Sequence, residues 1–285
     1  MTEVLRHLAI DLGERHLAVG VVNADGVVGV RDRIATPPKD RLTALERLVD
    51  RVLAATPASS RPTICVVTGP GPIDDAAGAS APLGIPGWQQ LPIRDTLQQT
   101  TRLETILETT GRAYALAACD GIDSVIGLHL GDEVDGGVVV GGRLLNGAHH
   151  RAGGFAHLLV DPDGVSCVCG ALGCLGAYAG VHSIETSTGR GLVSTPSALV
   201  TRAGIMVARA VASLVATTDV RSIRIGGVVV EAFRERFIES LNTELEERLR
   251  LPHLAGIDLK VAQFHVLAGA SAIARSIVAT STPSM

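Results

Sequence analysis

The sequence predicts an α/β protein built from two related lobes, because one order of strands and helices occurs twice along the chain. In the first half, the apolar runs VLRHLAID, HLAVGVVN and GVVGVRDRIA are separated by turn residues, which is typical of a three-stranded meander. An amphipathic helix from about Arg41 to Ala55 follows, and TICVVTG is typical of a buried strand. The same order returns more weakly in DSVIGLHLG, GGVVVGG, RLLNG, VRSIRIGG and IDLKVAQF.

Each half places a Gly-rich turn directly after its first strand, at Gly13 and at Gly131. We therefore predict an N-terminal lobe over residues 1–117 and a C-terminal lobe over residues 118–285 that carries a cysteine-rich segment. The last helix is a candidate to pack back on the N-terminal lobe. Ligands bind outside strand ends where loops converge, so a central cleft between the lobes is the expected site. A single mixed domain is the alternative.

Charge and hydropathy exclude several classes of partner. The formal net charge is -4 and no long block of Lys or Arg is present, so we expect no nucleic acid and no membrane partner. No apolar run reaches the roughly 18 residues of a membrane span, and charges stand where a signal peptide needs an apolar core. We expect a cytoplasmic protein. A long helix from about Ser197 to Ala216 carries an apolar stripe typical of a core or dimer contact.

The segment HLLVDPDGVSCVCGALGCL has the residues of a metal site. One imidazole and three thiolates form a closed tetrahedral set suited to zinc, which leaves no position for a reactive water. The predicted ligands are His157, Cys167, Cys169 and Cys174. Such a site is structural, and three thiols without a metal are the alternative.

The longer run GRLLNGAHHRAGGFAHLLVDPDGVSCVCGALGCLGAYAG resembles the signature of the ROK family of bacterial sugar kinases, repressors and related open reading frames. Weaker matches in the same order are AIDLGERHLAVGVVNADG, GPGPIDDAAG, GIPGWQQLPIRDTL and IRIGGVVVEAF. The resemblance implies two actin-like (ribonuclease H-like) α/β lobes, a structural zinc loop and a homodimer. In the family's kinases it implies phosphoryl transfer from ATP to a sugar hydroxyl. The first core strand begins within about ten residues of the start, so we expect no DNA-binding domain like that of the repressors.

The family's catalytic base is the Asp of an Asn-Asp-Ala-Asn run, and this chain has LETTGRAYALAA there. Thr109 and Thr110 stand at the Asn-Asp positions and Arg112 at the second Asn. A threonine does not accept a proton usefully near neutral pH. Glu108 lies two positions before the base, where we expect its side chain to point elsewhere. A capped helix start at Thr109 or Thr110 is the structural alternative.

The phosphate-binding loops of the family are also altered. In DLGER, Asp11 and Gly13 remain, while Glu14 and Arg15 replace Gly and Thr. The second loop reads GDEVDGG, with carboxylates where a polyanion would lie, and these are expected to repel ATP. They could instead hold a divalent ion, and an exposed acidic turn is the commoner meaning. The degenerate nucleotide site would comprise Asp11, Gly13, Gly131, Gly136, Gly137, Gly226 and Gly227, with the acidic residues Asp132, Glu133 and Asp135 beside it.

Glycine replaces the family's sugar-contacting Glu at Gly154 and Gly176, and its Asn at Gly84. Loss of such acceptors removes hydroxyl recognition. A changed ligand pocket could be lined by Glu108, Arg112, His149 and His150, although a surface histidine pair is the plainer alternative.

These substitutions predict a pseudokinase: a sugar-kinase-like protein with no catalytic residue, which has lost ATP-dependent sugar phosphorylation and binds a small ligand or a protein partner. Zinc is the expected cofactor, and the altered loops put ATP and magnesium in doubt. The alternative is a divergent ATP-dependent kinase or transferase for a sugar or sugar-like substrate. In that case Asp11 and an acid such as Glu108 or Asp132 would carry magnesium binding and proton transfer.

Overall fold

The computed structural model describes residues 6–23, 25–119, 121–254, 256–263 and 266–281. The chain divides into two compact units. Unit 1 comprises Met1–Ala117 and Phe264–Met285, and unit 2 comprises Ala118–Gln263. The last helix therefore belongs to unit 1.

Unit 1 is built on a five-stranded sheet. Its strands are β1 (His7–Leu12), β2 (His16–Val22), β3 (Val28–Ala35), β4 (Ile64–Gly69) and β7 (Glu104–Thr109), with a separate two-stranded ribbon of β5 (Ile73–Asp74) and β6 (Ala79–Ser80). The sheet order is β3-β2-β1-β4-β7, in which β1, β2 and β3 are antiparallel and β1, β4 and β7 are parallel. Its helices within the first 117 residues are α1 (Arg41–Ala55), α2 (Ile93–Thr101) and α3 (Thr110–Ala117).

Unit 2 repeats this order. Its strands are β8 (Val125–Leu130), β9 (Val134–Val140), β10 (Arg143–Leu144), β11 (Ser222–Gly226) and β12 (Asp258–Val261), and the sheet order is β10-β9-β8-β11-β12. Its helices are α4 (Gly176–Ala179), α5 (Val181–Thr188), α6 (Ser197–Thr218) and α7 (Val228–Arg248). The predicted repeat of three antiparallel strands, a crossover and parallel strands is confirmed in both units.

The sheet of unit 1 is covered on both faces, which explains why its central strands are continuous apolar runs. Leu8, Ile10 and Leu12 of β1 belong to one core cluster with the apolar face of α1. Ala9 belongs to a second cluster with the last helix, α8 (Val266–Ser281). Because strand side chains alternate between faces, the odd-numbered residues of β1, including Asp11, point to the α8 side of the sheet.

The long apolar helix α6 is a core element of unit 2. Among the described residues it is the one helix of sufficient length and hydropathy to cross a membrane by composition. Val207 and Val211 are fully buried in the main cluster of unit 2, together with residues of α7. A Cβ at Gly204 would lie 2.6 Å from the Phe237 carbonyl oxygen, so glycine allows the two helices to approach closely. Core packing accounts for the apolar composition of α6.

Candidate active site and metal cluster

Three polar residues lie in register across the parallel strands of unit 1. Asp11 on β1 pairs with Thr68 on β4, and Thr68 pairs with Glu108 on β7. In-register residues of neighbouring strands point to the same face, and strands lie about 4.8 Å apart, so the backbones of Asp11 and Glu108 are roughly 10 Å apart. The Thr68 hydroxyl lies 3.3 Å from Asp11 Oδ1. The carboxyl ends of three strands thus carry two carboxylates on one face.

The position of Glu108 corrects one prediction from the sequence. Its side chain was expected to point away, but it projects on the same face as Asp11 because residue 108 is still in strand β7. Its Oε1 atom accepts hydrogen bonds from the Thr109 backbone N–H and from Arg112 Nε, both at 2.8 Å. Arg112 is 3% exposed and Glu108 16%, so the ion pair is largely shielded from water. Two donors therefore hold the carboxylate in one orientation.

Thr109 has a structural role that explains its place before α3. Strand β7 ends at Thr109 and α3 begins at Thr110. The Thr109 Oγ1 atom lies 3.3 Å from the backbone N–H of Arg112 and caps the helix. The sequence offered Thr109 or Thr110 as the N-cap of α3, and the structure shows that the cap is Thr109.

The turn between β1 and β2 is tight. A Cβ at Gly13 would lie 2.6 Å from the His16 carbonyl oxygen, so glycine is needed there. Thr36 fixes the turn, since its Oγ1 donates to the Gly13 carbonyl at 2.8 Å and its N–H to the Arg15 carbonyl at 3.0 Å. Glu14 and Arg15 occupy the turn, and Arg15 is exposed.

In unit 2, the fold brings two of the predicted glycine turns together. Strands β8 and β11 are parallel neighbours, with His129 paired to Gly226. Gly131 follows β8, and Gly227 follows β11 with φ of +104°. A Cβ at Gly227 would overlap the Leu130 carbonyl, so only glycine fits. The turns at Gly131 and Gly227 therefore share one end of the sheet.

The predicted phosphate loop GDEVDGG is not a single loop. Gly136 and Gly137 lie inside β9, paired with Leu128 and Gly127 of β8. A Cβ at Gly136 would overlap the Phe155 ring, so this glycine is explained by packing.

The acidic residues of that segment are likewise divided. Asp132 and Glu133 lie in the turn, whereas Asp135 lies in β9 opposite His129. Asp135 Oδ1 accepts a hydrogen bond from the Gly136 N–H at 2.8 Å, and all three acidic residues have interaction partners. The three carboxylates therefore lie in two elements, the turn after β8 and strand β9.

The remaining predicted pocket residues are spread over both units. Glu108 and Arg112 belong to unit 1, whereas His149 and His150 are exposed in a loop after β10 of unit 2. A Cβ at Gly154 would meet no atom within 4 Å, while one at Gly176 would lie 3.2 Å from Ala156 Cβ. There is thus space for a larger side chain at Gly154 but not at Gly176.

The four predicted metal ligands converge. The ligand atoms of His157, Cys167, Cys169 and Cys174 all lie within 4.8 Å of one another. Cys169 Sγ is 3.8 Å from Cys174 Sγ, and Cys167 Sγ is 3.8 Å from His157 Nδ1. Tetrahedral zinc with Zn–S bonds of about 2.3 Å holds two sulfurs about 3.8 Å apart. The cluster fits such an ion.

The thiol chemistry of the cluster also favours a cation. Burial, followed by hydrogen bonding to Cys169, raises the pKa of the Cys174 thiol to about 12. The Ala171 backbone N–H lowers the pKa of Cys169. The raised pKa of Cys174 means that this thiol keeps its proton until a divalent ion binds as a competing cation, and metal binding would release protons from the thiols.

Two α/β units of identical strand order, each with a glycine turn after its first strand, define the actin-like two-lobe class. The family model named "ROK family" matches residues 7–277. The chain belongs to the ROK family.

The similar proteins include sugar kinases that match this chain over nearly its whole length. "N-acetylmannosamine kinase" of Escherichia coli O1:K1 / APEC is 31% identical over 281 residues, covering 92% of this chain and 94% of that protein. The ROK hexokinase of Thermus thermophilus is 28% identical with a TM-score of 0.82, covering 97% of this chain and all of the other. The ROK glucokinase of Streptomyces griseus, solved with glucose and AMPPNP, is 21% identical with a TM-score of 0.77, covering 95% and 99%.

The prediction of a pseudokinase is wrong. The relatives named as N-acetylmannosamine kinases match 92% of the chain at 31% identity, which favours an active sugar kinase. One step of the reasoning behind that prediction also fails on the structure, because the Glu108 carboxylate lies on the same face as Asp11. Sequence reasoning missed Thr68 and the register that joins Asp11 to Glu108. Thr68 is the last residue but one of TICVVTG, and Glu108 is the last residue but one of TILET. Aligning the ends of the two predicted strands would therefore have paired these residues.

Proposed function

We propose that this protein is an ATP-dependent sugar kinase, which transfers the γ-phosphoryl group of ATP to a sugar hydroxyl. The observation that carries the proposal is the likeness to N-acetylmannosamine kinases along 92% of the chain. N-Acetylmannosamine is therefore the first substrate to test, with glucose and mannose next.

Glu108 is the proposed proton acceptor. Phosphoryl transfer from ATP needs a carboxylate that receives the proton of the attacking hydroxyl. Hydrogen bonds from the described residues reach Glu108 at Oε1, from Thr109 and Arg112, and this leaves Oε2 to accept a hydrogen bond from the sugar. The proton moves from the sugar hydroxyl to Oε2 as the oxygen–phosphorus bond forms and the bond from the γ-phosphorus to the leaving ADP breaks.

Asp11 is the proposed partner of magnesium. It is 8% exposed and stands at the carboxyl end of β1, on the same face as Glu108. A magnesium ion bound to the phosphates of ATP takes oxygen ligands, and an ionised aspartate supplies one. The turns at Gly131 and Gly227 are assigned to contacts with the nucleotide, because backbone N–H groups without side chains can approach phosphate closely.

This chain has Gly154 and Gly176 where the family's sugar kinases have a glutamate. Its contacts with the sugar must therefore differ from those of such kinases. Gly154 is exposed, and a Cβ there would meet no atom within 4 Å among the described residues. The choice of N-acetylmannosamine as the first substrate to test therefore rests on the relatives named N-acetylmannosamine kinase.

The metal of the His157 cluster is proposed to be zinc in a structural role. Three thiolates and one imidazole complete a tetrahedral shell, so the ion has no open position for a substrate. A homodimer and a cytoplasmic location remain part of the proposal.

The test is ATP turnover by purified protein against the sugar panel, compared between wild type, Glu108→Gln and Glu104→Gln. Glu104 is the matched control because it lies on the same strand and face but is exposed. We expect Glu108→Gln to lower kcat by about 10² to 10⁴-fold with a smaller change in KM, and Glu104→Gln to be near wild type. Turnover of no sugar above the magnesium-ATP background would refute the kinase. Full activity of Glu108→Gln would refute only the role of Glu108.

A further inference from the structure

The loop that carries the metal ligands is joined to α4 and α6 by a polar network that includes no ligand. We define the metal loop as residues 157–174. Tyr178 on α4 donates from its hydroxyl to Asp161 Oδ2 at 2.9 Å and accepts from the Val165 backbone N–H at 2.9 Å. Arg202 on α6 donates to the same Asp161 oxygen at 3.1 Å.

The two ends of this network lie on different parts of the metal loop. Asp161 follows His157 by four residues, on the segment that pairs with Cys174 through the Leu159–Cys174 bridge. Val165 begins the hairpin that carries Cys167 and Cys169, closed by the Ser166–Leu172 bridge. One hydroxyl therefore connects the His157 segment to the hairpin with the first two cysteines.

The surroundings of Tyr178 hold its ring in place. The side chain is 7% exposed, and the Arg202 guanidinium lies 4.7 Å from the ring centroid. A Cβ at Gly164 would overlap the Tyr178 oxygen, so glycine there is what allows the hydroxyl to enter the loop. A second arginine, Arg209, donates from Nη1 to the Val160 carbonyl at 3.0 Å and anchors the same segment to α6.

We propose that Tyr178 is a positioning residue for the metal: its hydroxyl holds the hairpin against the His157 segment in the arrangement that zinc requires, before the ion binds. This rests on the zinc site proposed above. Ordering a loop costs conformational entropy, so less of the binding free energy of the ion is used when the loop is already ordered. Hydrogen bonds around a metal site typically change its affinity 10- to 100-fold.

Tyr178→Phe tests the proposal because it removes the hydroxyl and keeps the ring beneath Arg202. Tyr114→Phe is the matched control, since Tyr114 is the only other tyrosine and lies in unit 1. The zinc dissociation constant is measured by competition with a chromogenic chelator, and Co²⁺ absorption reports whether tetrahedral geometry is kept. We expect Tyr178→Phe to weaken zinc about 10- to 100-fold with a tetrahedral Co²⁺ spectrum, and Tyr114→Phe to bind as wild type.

Hydrogen exchange in the metal-free protein gives an independent readout. The Val165 amide should exchange faster in Tyr178→Phe than in wild type, while amides of β8 should be unchanged if the variant is folded. Equal zinc affinity and equal Val165 exchange in the two proteins would overturn the role of Tyr178. A wild-type protein that binds no zinc would overturn the metal site itself, whereas sugar kinase activity could still be present.

Discussion

The buried histidine of the first strand predicts a steep loss of stability in acid. His7 is 0% exposed, and neither of its ring nitrogens has a hydrogen-bond partner among the described residues. Burial, together with the positive charge of Arg275, lowers the pKa of His7 from 6.5 to about 4. Between pH 6.5 and pH 4, His7 is therefore protonated in the unfolded chain and neutral in the folded chain.

The direction and the size of the change in stability with pH follow from proton linkage. Stability from neutral His7 is fully present above pH 6.5 and is lost progressively as the pH falls toward 4. At about 1.4 kcal/mol per pH unit, lowering the pKa of His7 from 6.5 to about 4 corresponds to a loss of roughly 3 kcal/mol in the free energy of unfolding. Burial also lowers the pKa of the partly buried His129 in unit 2 to about 4, so this residue adds a loss in the same direction.

Trp88 allows the contribution of His7 to be isolated. It is the single tryptophan, it is fully buried, and it lies in unit 1 with His7. Urea unfolding followed by Trp88 fluorescence at pH 5 to 7.5 should show the free energy of unfolding rising with pH. His7→Leu should reduce that slope by about 1 kcal/mol per pH unit near pH 5.5. His149→Leu, in an exposed loop, controls for loss of an imidazole elsewhere. An unchanged slope in His7→Leu would refute the reasoning.

Other predictions concern unit 2. Gly227→Ala should destabilise the protein by more than about 1 kcal/mol in thermal unfolding, because φ is +104° and the Cβ would overlap Leu130. Gly142→Ala, with φ of +71° and open space, is the control and should cost less. Cys174→Ser should release zinc, measured by elemental analysis, and lower the melting temperature; stoichiometric zinc in this variant would contradict the ligand assignment. Glu244→Gln should cost about 1 kcal/mol, because Arg209 and Arg248 both pair with this largely buried carboxylate but keep access to water; an unchanged urea midpoint would show the pairs to be dispensable.

The sequence by itself determined the architecture and the four residues of the His157 cluster. Period-two apolar runs and turn residues specify the meanders locally, and the stripe of Leu45, Leu48, Val49 and Val52 specifies α1. Cysteines two to five positions apart with turn glycines between them can converge only within a short loop, so the sequence spacing already encodes the cluster.

Only the tertiary structure decided which side chains meet at the candidate active site. Asp11, Thr68 and Glu108 are far apart in the chain, and their common face depends on the pairing register of three parallel strands. A shift of one residue would turn Glu108 to the opposite face. The Tyr178 network likewise depends on how α4 and α6 pack against the metal loop. Strand register and helix packing depend on the whole core, so a local sequence pattern does not predict them.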